Sequence, residues 1–127
     1  MSSYIDRKKI IEEFLKTIYR LSDEKYQERV WLRGEGPECN EIDDTVCDFF
    51  DDGNPILERY RDFGITELQY KLLIKLHVRL RNFTDTFGVY SDDKSTEELL
   101  ELPEWQEIRV ISKSVLKMFD FKKKINK

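Results

Sequence analysis

The stretch Thr66–Phe87, TELQYKLLIKLHVRLRNFTDTF, decides the fold class. Thr66-Glu-Leu-Gln69 is a capping box, in which the threonine hydroxyl and the glutamine side chain each satisfy a backbone N–H of the first helical turn. Leu68, Leu72, Leu76, Leu80, Phe83 and Phe87 then follow on one stripe at helical spacing. Ile74 and Val78 form a second stripe. A helix apolar on two sides is expected at the centre of its domain, with neighbours on both.

Helix signals recur on either side of it. Ile10, Ile11, Phe14, Leu15 and Ile18 repeat at i, i+3, i+4, so a first helix with one buried face is expected from about Ser3 to Arg20. Ser22 and Asp23 are N-cap types ahead of a second helix carrying Tyr26, Val30 and Trp31. Gly34, Gly36 and Pro37 end it. A third helix fits Glu41 to Asp52, closed by Gly53, and Asn54-Pro55 reads as the start of a short fourth running to about Asp62. Ser95-Thr-Glu-Glu98 is a second capping box, and Pro103 opens a last helix with Trp105, Ile108, Ile111, Val115, Leu116, Met118 and Phe119 on one broad face. No stretch alternates as a strand does. The expectation is an all-α, single-domain, irregular or orthogonal bundle of five to seven helices spanning residues 1–127, with a frayed basic tail over 121–127.

Length and composition agree. At 127 residues, 39% apolar and 13% aromatic, the chain has the core of one domain and little room for a second. A net charge of −4 argues against nucleic acid as a partner. No run of 18 apolar residues suggests a membrane span, and the start, MSSYIDRKK, has no signal-peptide core. Cys39 and Cys47, eight residues apart, match no disulfide framework and are expected as free, half-buried thiols in the cytoplasm.

Catalytic patterns fail one by one. His77 is the single histidine and has no obvious nucleophile beside it. Gly34-Glu-Gly36 lacks the third glycine and the preceding strand of a dinucleotide fingerprint. The calcium-loop candidate Asp48–Arg59 has Phe50 at a ligand position and Arg59 where the bidentate glutamate belongs. Two cysteines do not make a zinc site. No enzyme activity, cofactor or metal is expected.

The informative feature is where the charges fall. Glu35 to Asp62 holds ten acids and two bases, a local charge of −8. On a helical wheel Ile42, Val46, Phe49 and Phe50 share one side. Glu41, Asp44, Asp48, Asp51 and Asp52 fall on the other, within about 100°. Like charges at i,i+3 and i,i+4 destabilise a helix by about 0.2–0.5 kcal/mol per pair, and aspartate is a poor residue for a helix interior. Such crowding works against the fold and suggests a role outside it. A second acidic patch runs from Asp92 to Glu104, and Arg109, Lys113 and Lys117 form a compensating basic stripe. Tyr60 and Tyr90 are the best candidates for exposed aromatic anchors. An acidic rim around such anchors is the composition of a surface that captures a basic protein. The residues expected to bind that partner are Glu38, Glu41, Asp44, Asp48, Asp51, Asp52, Tyr60 and Tyr90.

Arg33-Gly-Glu-Gly-Pro-Glu-Cys39, Asp43-Asp-Thr-Val-Cys-Asp-Phe-Phe50, Phe63-Gly-Ile-Thr66 and Leu102-Pro-Glu-Trp105 resemble a small bacterial all-helical domain family, with no catalytic motif to carry across. More loosely, in size, acidity and helical content, the chain is similar to immunity proteins of bacterial toxin systems, including contact-dependent growth inhibition. That likeness implies a protein that binds and neutralises a basic nuclease toxin in the cytoplasm. The alternative is a structural adaptor or homodimerisation module whose acidic face is merely solvated.

Overall fold

Helix α1 (Tyr4–Ser22) turns Phe14, Leu15, Ile18 and Leu21 into the core, the face its i, i+3, i+4 spacing sets. Ile10, expected on that face, is instead 41% exposed. The computed structural model describes residues 4–88 and 94–121, which are all-α with no strand among them. Helix α2 (Glu24–Tyr26) is capped by Asp23, whose carboxylate accepts from the Tyr26 N–H at 3.1 Å. It runs on into a π-helical turn over Gln27–Leu32 that buries Gln27, Val30 and Trp31. Gly34 and Gly36, both at positive φ, then reverse the chain. At Gly36 it is the positive φ that favours glycine, since a Cβ there would meet only the movable ends of the Arg29 and Glu38 side chains.

Helix α3 (Ile42–Glu58) corrects the expected break at Gly53-Asn54-Pro55, because the chain continues as one helix through all three. Gly53 is buried against the ring of Phe14, where a Cβ would stand 2.8 Å from Cε1. It lets the Phe14 ring of α1 pack directly against the α3 backbone and has no capping role. Pro55 forgoes its N–H bond, a local cost that the burial of Ile56 and Leu57 on the following residues offsets. The chain leaves α3 by a 3-10 turn (Tyr60–Phe63) that Gly64 closes in the left-handed conformation.

Helix α4 (Glu67–Phe87) carries the expected capping box, with the Gln69 N–H donating to Thr66 Oγ1 at 3.1 Å and the Thr66 N–H to Gln69 Oε1 at 2.8 Å. Its buried face is Leu73, Leu76, Leu80 and Phe83. The two-sided expectation is corrected: Leu68 and Val78 are exposed, so α4 lies against the core on one side and does not run through its middle. The short helix α5 (Thr96–Glu101) starts at its Ser95 capping box, and α6 (Pro103–Met118) starts at Pro103.

The four long helices close a ring. Helix α1 packs on α3 and α6, and α4 packs on the same two. Trp105 of α6 is completely buried inside the ring, edge-on to Trp31 at 6.0 Å and tilted against Phe83 at 5.2 Å. Arg109, expected in an exposed basic stripe, is buried, while Lys113 and Lys117 face solvent. Cys39 and Cys47, expected half-buried, are instead both exposed thiols.

Candidate functional site

Because Val46, Phe49, Ile56 and Leu57 are drawn into the core, helical geometry leaves Asp44, Asp48, Asp51, Asp52 and Glu58 on the outer face of α3. The first turn of the helix uses two of the acids for its own ends. Asp44 Oδ2 accepts from the Glu41 N–H at 3.0 Å, and Asp43 Oδ1 from the Asp44 N–H at 3.0 Å. Negative charge is favourable there, next to the positive end of the helix dipole.

One turn further on that benefit ends. Asp48 lies 3.9 Å from Arg20 of α1, a long and half-exposed pairing. Asp51 and Asp52 make no ion pair among the described residues. Burial pushes the Asp52 carboxyl above the usual carboxylate range, and the negative charges of Asp48, Asp51 and Glu13 push it further. Asp52 forms one wall of a groove of about 320 Å³ between α1 and α3, with Asp6, Lys9, Ile10 and Glu13 on the others. The exposed part of Ile10 gives this groove an apolar contact inside a mainly acidic rim. Periodicity gave no sign of it, since Ile10 sits one residue before Ile11 at the margin of the buried stripe.

The expected binding residues are thus only partly brought together. Asp44, Asp48, Asp51 and Asp52 share one exposed face, with Glu41 at its N-terminal edge. Glu38 belongs elsewhere: it is held by a two-pronged contact from Arg29, at 2.9 and 2.7 Å, which fixes the loop before α3. Tyr60 is no free anchor. Its ring stacks on Tyr70 at 3.9 Å, and its hydroxyl donates to Glu67 at 2.6 Å. Tyr90, with Asp92 and Asp93, lies outside the described residues.

His77 is accounted for structurally. Its Nε2 shares a 2.9 Å hydrogen bond with Asn54 Oδ1, and the Phe50 ring meets it edge-on at 5.1 Å, so it joins α4 to α3. Desolvation lowers its pKa, and the charge of Arg81 lowers it further. Among the described residues no group of three or more His, Cys, Asp or Glu side chains could hold a metal ion, and no helix is long and apolar enough to cross a membrane. Compared with protein families, curated proteins and solved structures, the chain matches none. What the arrangement offers chemically is a ridge of hydrogen-bond acceptors and negative charge with one apolar contact beside it.

Proposed function

We propose that the chain is a non-catalytic protein-binding module whose α3 face captures a basic protein, most concretely a cytoplasmic immunity protein that neutralises a basic nuclease toxin. The observation that carries this reading is the cluster of Asp48, Asp51, Asp52 and Glu13: burial and then the charges of its neighbours raise Asp52, Glu13 is paired with Lys16 and Asp48 only distantly with Arg20, and Asp51 and Asp52 have no ion pair among the described residues. A basic partner would supply that charge. The carboxylates would take the place of the phosphates of the toxin's nucleic-acid substrate, steer encounter over a distance and then cover the basic surface, with Ile10 as an apolar contact.

The test is capture of a partner from the native host, followed by association kinetics with the purified protein. A basic partner whose association rate falls steeply with salt, and falls again when Asp44, Asp48, Asp51 and Asp52 become asparagine, supports the reading. Association indifferent to both overturns it. The second reading, a structural adaptor, draws on a different surface: Leu68 and Val110 are 66% and 63% exposed on α4 and α6.

A further inference from the structure

Two contacts fix how α4 and α6 lie together. Gln69 Nε2 donates to the Met118 carbonyl at 3.4 Å near one end, and Arg79 pairs with Glu107 at 2.5 Å near the other. The helices are therefore antiparallel along this seam, and the ten or so residues between the two ties span about 15 Å. Taking Arg79 as the seam-facing position of α4, Leu68 and Leu72 fall on the same line at 3.6 residues per turn. On α6, Glu107, Val110 and Met118 likewise fall towards that line. Leu68 is 66% exposed, Val110 63% and Met118 44%, with Leu72 half-buried between them. Three of the six large hydrophobic side chains found exposed thus lie on one strip. A cluster of that kind marks an interaction surface more than scattered exposure does.

The rim of the strip is basic. Lys71 and Lys75 border it on α4, and Lys117 borders it beside Val110 on α6, all three exposed; on its other side Lys117, with Lys113, lines the groove toward α1 and α2 that also holds Asp23, Glu24 and Glu28. Two acids, Glu104 and Glu107, stand at the far end beside Arg79, which engages Glu107. In a chain of net charge −4 this is a local reversal of sign, on a different helix pair from the acidic ridge.

We propose that the α4–α6 strip is a docking site for an amphipathic helical segment of a partner protein, apolar on the face it presents and acidic along its flanks. Apolar side chains of the segment would cover Leu68, Val110 and Met118 while its carboxylates meet the lysines. A second copy of the chain is the poorer occupant. A twofold pairing through this strip would set lysines against lysines, and pairing it with the α3 face of another copy would give an open-ended chain of molecules.

The probe is a fluorescein-labelled peptide of about 18 residues, a length sufficient for helix formation, with leucines at i, i+3, i+4 and i+7 and glutamates elsewhere. Its binding to the intact chain is followed by anisotropy. Saturable binding is expected, weakening at least about tenfold between about 50 and 300 mM salt as the lysines are screened. Leu68→Glu with Val110→Glu should weaken it at least about tenfold, as loss of a central contact does. Lys71→Ser with Lys75→Ser should also weaken it, while Asp48→Asn with Asp51→Asn should not. The last pair separates this proposal from the α3 reading. No saturable binding, or equal binding of the same peptide with lysines for glutamates, overturns the proposal. So does a dimer in sedimentation that Val110→Glu dissociates, or Leu68-dependent binding to phosphatidylserine vesicles in place of the peptide.

Discussion

Arg109 Nε donates to Gln27 Oε1 at 2.8 Å, and the pair is buried in the centre of the helix ring. The same oxygen accepts from Trp105 Nε1 at 3.0 Å, while Gln27 Nε2 donates to the carbonyls of Arg20 and Leu21 at 2.8 and 2.9 Å. Four hydrogen bonds meet on one amide, so α1, the π-helical turn and α6 are tied at a single residue. Desolvation lowers the pKa of Arg109, and the nearby charges of Glu24 and Glu28 oppose that shift.

Gln27→Leu keeps the volume and removes all four bonds. It leaves the buried Arg109 guanidinium with only a 3.7 Å pairing to Glu24 and strands an indole N–H and two helix-end carbonyls, so a loss of about 3–5 kcal/mol is expected in urea denaturation. Arg109→Met should cost much less, about 1 kcal/mol, because Gln27 Oε1 still accepts from Trp105 and a buried charge is removed. Equal losses for the two variants would show that the glutamine does not organise the network.

At Gly53 two effects oppose each other. Alanine favours a helix interior over glycine by about 1 kcal/mol. Its Cβ would stand 2.8 Å from Phe14 Cε1 and 3.0 Å from Cζ, and Phe14 is itself buried against Phe49 at 5.4 Å. Overpacking of this kind costs about 1–3 kcal/mol, so Gly53→Ala is expected to lower stability overall. Adding Phe14→Leu should recover part of that loss. A stabilising Gly53→Ala would mean that the contact between α1 and α3 gives way more easily than the packing implies.

His77 makes stability depend on pH. Burial lowers its folded pKa below the ordinary 6.5, so the unfolded chain takes up a proton first as the pH falls. Its contribution is fully present above 6.5 and is lost as the pH drops through the depressed folded value. Denaturation midpoints measured from pH 8 to 5 should therefore decline, and His77→Gln should flatten that part of the profile. An unchanged slope in the variant would assign the decline to other groups.

The parts of the fold that were legible were those with local causes. The capping boxes at Thr66 and Ser95 and Pro103 at its helix start depend on residues within one turn of each other, and each appears where the spacing places it. Gly53 misled because its role depends on Phe14, nearly forty residues away, and no local rule reports that close approach. Arg109 misled for the same reason, since only its contact with Gln27 explains a buried arginine. In the candidate site, the one-sided acids of α3 followed from helical period alone. Ile10 and the groove beside it needed the packing of α1 on α3, and Glu38 and Tyr60 were diverted by Arg29 and Tyr70.

Asp52 joins stability to the proposed function. Burial and the charges of Asp48, Asp51 and Glu13 raise its folded pKa above the ordinary 3.8, so ionising it costs more in the folded chain than in the unfolded one. The associated stability is fully present below 3.8 and is lost as the pH rises through the raised folded value. At pH 7 the native protein therefore carries the whole penalty. Asp52→Asn, neutral at every pH, should raise the denaturation midpoint at pH 7 by an amount that shrinks with added salt and disappears near pH 3. The same variant should slow association with a basic partner, because it removes one of the charges that attract it. A variant no more stable at pH 7 than the native chain would mean that the acids of α3 are comfortably solvated where they stand, and the electrostatic argument for a partner on that face would lose its basis.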